Sequence, residues 1–229
     1  MGSKNKLKRF KENESFANVI QPTREELLTG SFSHKGAWQY YFGNANPIVL
    51  ELGCGKGEYT IGLARKNPNT NYIGIDIKGA RFWRGAKTAL EEDLQNVAFV
   101  RAQIELLEYA FAAKEVSEIW ITFPDPQYKF KRVHHRLTNP TFLRSYRNVL
   151  KSDGCVHLKT DSAFLHGYTL GILDGWGISP KMAHHDVYQY VHAPKEVISI
   201  QTFYEQQYRQ KNIPITYLKF SFYTDVPTT

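Results

Sequence analysis

From Ile48 onward the chain alternates short, predominantly apolar runs with longer helix-like stretches, and this alternation constrains the fold more than any other feature. Short strands that are apolar on both faces need cover on both faces, which is the condition of a parallel sheet between two layers of helix. The runs are Ile48 to Leu52, Tyr72 to Ile77, Val97 to Val100, Glu118 to Thr122 and Cys155 to Lys159. Helices are predicted over Glu58 to Lys66, Ala80 to Asp93, Thr138 to Leu150 and Ser162 to Leu173, the third opened by Thr138 as a cap with Pro140 in its first turn. After Gly177 the texture turns Tyr-rich, and two closing strands, Val187 to Val191 and Tyr217 to Tyr223, flank a helix over Phe203 to Gln210. The expected architecture is α/β: a seven-stranded, mostly parallel sheet with helices on both faces.

The 229 residues, 42% of them hydrophobic, are enough for one core, so residues 21–229 are expected to form a single domain. Residues 1–20 are expected to be a basic, flexible arm, because residues 4–11 hold Lys4, Lys6, Lys8, Arg9 and Lys11 and no acid. Lys6 also stands where a myristoylation signal needs Ser or Thr. No apolar run approaches the roughly 18 residues of a membrane span, and none follows the N-terminal charges as in a secretory signal. With only Cys54 and Cys155, no disulfide framework is expected, and the protein is expected in the cytoplasm as a monomer or homodimer. The net charge of +7 and pI near 9.2 bias the partner toward a polyanion.

The first predicted strand ends in Glu51-Leu52-Gly53-Cys54-Gly55-Lys56-Gly57 and runs directly into a helix. Such a turn lets a ligand approach the backbone and offers it the unpaired N–H groups of a helix start. A dinucleotide fingerprint counted from Gly53 fails, because Glu58 stands where its third glycine belongs; a Walker loop fails, because Gly57 follows Lys56. What remains is an acid two residues before G-x-G-x-G, with Asp76 ending the second strand where it can accept from two ribose hydroxyls. That combination resembles the class I methyltransferases, Rossmann-like enzymes that bind S-adenosyl-L-methionine. In that fold a residue at the position of Gln103 caps the adenine amino group.

The fourth strand leads into Phe123-Pro124-Asp125-Pro126-Gln127-Tyr128-Lys129-Phe130-Lys131-Arg132-Val133-His134-His135-Arg136. Two prolines hold Asp125 on a stiff loop at the ligand edge. Four cationic residues and two histidines follow within eight positions, interleaved with aromatics, which supplies phosphate-pairing charge and planar surfaces for bases. With Lys159-Thr160-Asp161 and Thr202-Phe203-Tyr204-Glu205, these motifs resemble the bacterial TrmB-type tRNA (guanine-N7) methyltransferases over about Ile48 to Phe222. The resemblance implies that Glu51, Gly53, Gly55, Gly57, Asp76, Gln103 and Asp125 surround S-adenosyl-L-methionine, with Asp125 catalytic. It also implies that Lys129, Asp161, Thr202, Phe203, Tyr204 and Glu205 face a guanosine at position 46 of the tRNA variable loop. Three residues depart from the family pattern: Gln127 replaces a Trp, Gln103 an Asp, and Phe203 a basic residue. T-x-x-E at Thr202 to Glu205 also reads as a helix capping box.

Guanine N7 carries a lone pair and no proton, so methylation there needs no general base and depends on alignment, with carboxylates stabilising the charge that develops on the purine. Two rivals share parts of the pattern. A methyltransferase for a small molecule or protein leaves the basic run unexplained, and a non-catalytic RNA-binding protein leaves the glycine loop and Asp76 unexplained. The His134-His135 and His184-His185 pairs lack a second ligand set at zinc spacing, so no metal is expected.

Overall fold

The computed structural model describes residues 3–222. Its centre is an eight-stranded sheet of β1 (Val19–Ile20), β2 (Ile48–Leu52), β3 (Asn71–Ile75), β4 (Val97–Val100), β5 (Val116–Thr122), β6 (Leu150–Thr160), β7 (Met182–His184) and β8 (Thr216–Phe220). The spatial order is β1-β4-β3-β2-β5-β6-β8-β7. The first six strands are mutually parallel, and β8 enters antiparallel between β6 and β7. The helices are α1 (Ser3–Asn13), α2 (Arg24–Thr29), α3 (Trp38–Phe42), α4 (Glu58–Lys66), α5 (Gly79–Glu91), α6 (Leu107–Ala110), α7 (Pro140–Val149), α8 (Ala163–Gly175), α9 (Lys195–Ser199) and α10 (Phe203–Gln210).

Every residue of β2, β3 and β4 is buried, as strands covered on both sides must be. Alternate residues feed two apolar layers. Leu50, Leu52, Ile73, Ile119 and Tyr146 belong to one, and Val49, Tyr59, Phe99, Trp120 and Tyr217 to the other. Strand order runs outward from β2 through β3 and β4 on one side and through β5 and β6 on the other. The chain therefore reverses its winding between β2 and β5, the place where open α/β sheets leave a crevice at the strands' carboxyl ends. No helix among the described residues is long and apolar enough to cross a membrane.

The sheet has eight strands where seven were expected. The additional β1 is only two residues long, too short to leave a periodic signal. The expected strand over Val187 to Val191 is absent. Asp186 accepts from the Tyr188 amide and folds that stretch into turns, while Met182–His184 pairs with β8 in its place. Tyr223, the predicted end of the last strand, lies outside the described residues. Asn139, not Thr138, caps α7, because its side chain reaches the amides of Thr141 and Phe142; the Thr138 hydroxyl instead accepts from Thr169.

The basic N-terminal segment, expected as an extended arm, is helical from Ser3 and packs along α5. Asn13 donates to the Gly79 carbonyl (2.9 Å), Trp83 donates to Glu12 (2.6 Å), and the Arg9 guanidinium lies 4.7 Å from the centre of the Trp83 ring. Three directional contacts along one seam explain the helix that charge counting alone does not predict.

Candidate active site

Glu51, Asp76, Gln103, Asp125 and Asp161 stand at or just beyond the carboxyl ends of β2, β3, β4, β5 and β6, so the parallel sheet collects them along one edge. They differ sharply in exposure. Glu51 is buried, and both of its oxygens are engaged inside the fold: one accepts from the Thr60 amide (2.8 Å) and hydroxyl, the other from the Thr122 hydroxyl (2.7 Å). Thr60 is the third residue of α4, whose glycine start has no capping side chain of its own. Glu51 therefore caps α4 from the neighbouring strand and ties it to β5. Burial raises the Glu51 carboxyl to about 7, against the opposing pull of the threonine hydrogen bonds.

The three loop glycines do different work. All have positive φ, at 71°, 57° and 73° for Gly53, Gly55 and Gly57. A Cβ on Gly57 would lie 2.6 Å from the Phe99 ring, so that glycine lets the loop pack on β4. A Cβ on Gly53 would meet nothing closer than 3.7 Å, and one on Gly55 nothing closer than 4.0 Å. These two leave open backbone at the sheet edge. Asp76 accepts from the Gly55 amide (3.1 Å) and the Lys78 amide (2.8 Å), which fixes the loop and its carboxylate together. Each bond occupies one oxygen, so lone pairs remain for a ribose diol. Gln103 is held by Arg24 of α2, which donates to its carbonyl oxygen (2.7 Å). This set fits S-adenosyl-L-methionine: open backbone at Gly53 and Gly55, a fixed carboxylate at Asp76 and an oriented amide at Gln103.

The loop carrying Asp125 is strained and pinned. Phe123 and Gln127 hold φ of 48° and 49°, which bulky residues adopt only when the surroundings enforce it. The Phe123 amide donates to the Lys159 carbonyl (2.8 Å). Arg136 is buried against the neighbouring rings of Phe164 and Tyr168 and donates twice to the Gln127 carbonyl (3.2 and 3.1 Å). Asp125 is exposed and accepts from the Gln127 amide (3.0 Å). The backbone of Gln127 thus does the positioning, through a left-handed turn available to Gln as to Trp. Arg136 belongs to this support and not to the exposed basic run, which comprises Lys129, Lys131 and Arg132.

Asp161 is half-buried beyond β6; burial raises its carboxyl above the usual range, and the Tyr208 hydroxyl donates to it. The Thr202 to Glu205 element divides into two parts. Thr202 and Glu205 form the capping box of α10, and the Glu205 side chain is buried, paired with Lys159 at 2.7 Å and accepting from Tyr188 at 2.6 Å. Lys159, buried as well, also donates to the carbonyls of Val197 and Ile200, which ends α9 beside the start of α10. Burial lowers the Lys159 ammonium to about 8, opposed by the Glu205 charge. Glu205 is therefore placed beneath the site, whereas Phe203 (46% exposed) and Tyr204 (54%) stand on its rim. Lys56 of the glycine loop lies 4.3 Å above the Phe203 ring, and Glu58 accepts from the Phe203 amide.

Sequence reasoning missed Lys159 as an anchor, although a lysine inside an apolar strand signals a buried carboxylate partner. It also missed Thr60, Thr122, Arg24 and Lys56, whose roles depend on which strands adjoin. Glu118, Cys155 and His157 bring their ligand atoms within 4.8 Å of one another lower on the sheet; among them Cys155 bonds His157, which also bonds Tyr217.

A family model described as a putative methyltransferase matches residues 45–218. A tRNA (guanine-N(7)-)-methyltransferase of Christiangramia forsetii is 69% identical over 96% of this chain and 99% of its own. One of Bacteroides thetaiotaomicron is 45% identical over 95% of this chain and 85% of its own. Among solved structures, the 16S rRNA methyltransferase KamB superposes with a TM-score of 0.61 at 17% identity, covering 82% of this chain and 94% of its own, a likeness of fold. The glycine loop, the acids at the strand ends and these relatives agree, and the chain belongs to the TrmB-type tRNA (guanine-N7) methyltransferase family of class I methyltransferases.

Proposed function

We propose that the protein transfers the methyl group of S-adenosyl-L-methionine to N7 of the guanosine at position 46 of tRNA. The observation that carries this reading is the pinned, strained loop that holds exposed Asp125 beside the glycine turn, in a chain whose close relatives are named for tRNA guanine-N7 methylation. Position 46 rests on the family resemblance. When bound, S-adenosyl-L-methionine supplies an electrophilic methyl on a sulfonium.

The chain's own residues then have separable tasks. Asp76 and the Gly53 and Gly55 backbone hold the nucleoside, while Gln103, oriented by Arg24, borders its base. Glu51 acts as a positioning residue by capping α4. The N7 lone pair is already free, so no residue has to remove a proton before attack. Asp125, fixed before substrate arrives, stabilises the positive charge that grows on the purine and costs little reorganisation. Asp161 can accept from the N1–H and exocyclic amine of guanine, a paired contact that adenine lacks. Lys129, Phe203 and Tyr204 meet the surrounding nucleotides. The cation that the family pattern has at position 203 is supplied here by Lys56 above the Phe203 ring.

The test is incubation of unmodified tRNA with labelled methyl donor, followed by mapping of the product. Label in 7-methylguanosine at position 46, lost when that guanosine is replaced by adenosine, is expected. Label on another base or atom overturns the reading.

A further inference from the structure

Beside the glycine loop, a groove of about 440 Å³ opens between α4, α5 and the end of α9. Its floor includes Gly57, Gly62 and Gly85, and its walls carry Lys56, Arg65, Lys66 and Arg84 against one acid, Glu58. Two of these charges are already answered. Arg65 pairs with Glu92 through two hydrogen bonds, and Glu58 accepts from the Phe203 amide. Lys56, Lys66 and Arg84 are left as the cations that set the groove's field. Lys66 and Arg84 are exposed, and Lys66 also donates to Ser199, which aims its ammonium across the groove.

The shape distinguishes among anionic ligands. Lys56 stands two residues before α4 and Lys66 ends it, and their ammonium groups are held by different neighbours, Lys56 by the Phe203 ring and Lys66 by Ser199. Cations spread along a helix in this way match a run of phosphates better than one small anion. At one end Lys56 also reaches the exposed Phe203 ring, which lies next to Tyr204, so bases can stack beside the groove.

We propose that this groove carries a second stretch of the tRNA backbone, on the opposite side of the glycine loop from the Lys129 to Arg132 segment. The proposal rests on the tRNA reading above and adds a track to it. The methylated nucleotide sits between two cationic supports, so the enzyme grips RNA on both sides of its target.

Lys66→Ala with Arg84→Ala tests this, with Arg84→Ala alone as the second variant because its exposed side chain lies outside the α4–α9 contact. Affinity for unmodified tRNA is measured against salt, alongside kcat, KM, melting temperature and S-adenosyl-L-methionine affinity. Each phosphate contact contributes roughly 0.7 to 0.9 to the slope of log affinity on log salt, so the double variant should flatten it by roughly 1.4 to 1.8 and the single variant by half that. KM for tRNA should rise, with kcat and cofactor affinity unchanged, and Lys66→Arg with Arg84→Lys should restore the parent slope. A double variant with the parent's affinity and slope overturns the proposal. So does saturable binding of inorganic pyrophosphate that the variant loses while tRNA binding stays intact, which would make the groove a small-anion site. Failure of the parent protein to methylate tRNA is a separate result that overturns the function and not merely the track.

Discussion

The sheet edge has two layers of charged groups that share residue types and differ in everything else. The lower layer, Glu51 and the Lys159–Glu205 pair, is buried and hydrogen-bonded on nearly every polar atom. The upper layer is exposed: Asp125 and Lys129 on the loop strained at Phe123 and Gln127, and Phe203 and Tyr204 on the first turn of α10. A carboxylate below is fixed at the cost of desolvation, so removing its partner leaves an unpaired charge in the interior. A carboxylate above keeps its solvation until substrate covers it, so its removal is felt in the reaction. Substitution in the lower layer should therefore alter stability first, and substitution in the upper layer turnover first.

The largest effect is expected where the lower layer is broken outright. Glu205→Ala strands the Lys159 ammonium, which has no exposed surface, and should cost about 3–5 kcal/mol of stability. Glu205→Gln keeps the side-chain volume and one acceptor oxygen for Lys159 or Tyr188 and should cost less. Denaturant unfolding of both variants checks this. An Ala variant that melts like the parent but no longer binds tRNA would move Glu205 to the upper layer, facing guanosine.

Glu51 sharpens the contrast through pH. Its native carboxyl titrates near 7 against an ordinary 4.5, so between those values the native state holds more protons than the unfolded chain. Stability contributed by this group is complete below about pH 4.5 and declines as pH rises through 7, by about 3 kcal/mol at most. Glu51→Gln, isosteric and uncharged, should lack that decline, so the parent-minus-variant stability difference should fall between pH 5 and pH 8. A difference that stays constant would show that Glu51 is ionised in the native state throughout.

Asp125→Ala is the counterpart above. It should lower kcat about 10²-fold, roughly 2.7 kcal/mol in the barrier, with an unchanged melting temperature. Near-parent turnover would leave the strained loop without a catalytic purpose, and a lower melting temperature would place Asp125 with the supports.

Much of the lower layer's location was legible because local rules decide it. Apolar runs marked β2 to β6, glycine spacing marked the turn before α4, and Thr202-x-x-Glu205 announced the cap of α10. The division of labour was not legible, because it depends on which strands adjoin. Glu51 reads as a ligand-facing acid until Thr122 of the neighbouring β5 is seen to take its second oxygen. Arg136 reads as one more cation in a basic run until it is seen packed on the Phe164 and Tyr168 rings of α8. α1 was obscured for the opposite reason: its lysines mask a seam with α5 that is made by a few residues, Arg9, Glu12 and Asn13, at long sequence separation.

The smallest expected effect tests how the upper layer replaces a charge. Lys56 lies over the Phe203 ring, where the ring's negative face attracts the ammonium by roughly 0.5–1 kcal/mol at an exposed site. Phe203→Lys restores the family's basic residue but removes that attraction and brings two like charges together. It should therefore change tRNA KM by no more than about threefold and increase the salt slope by less than one full contact. Lys56→Ala should weaken tRNA binding, because Phe203 then offers only a stacking surface. Adding Phe203→Lys to Lys56→Ala should return KM and slope to parent values, since one cation again stands at the rim beside the glycine loop. Additive losses in that double variant would mean that Phe203 and Lys56 touch different parts of the RNA, and the rim would then hold two independent contacts where the stacked pair implies one.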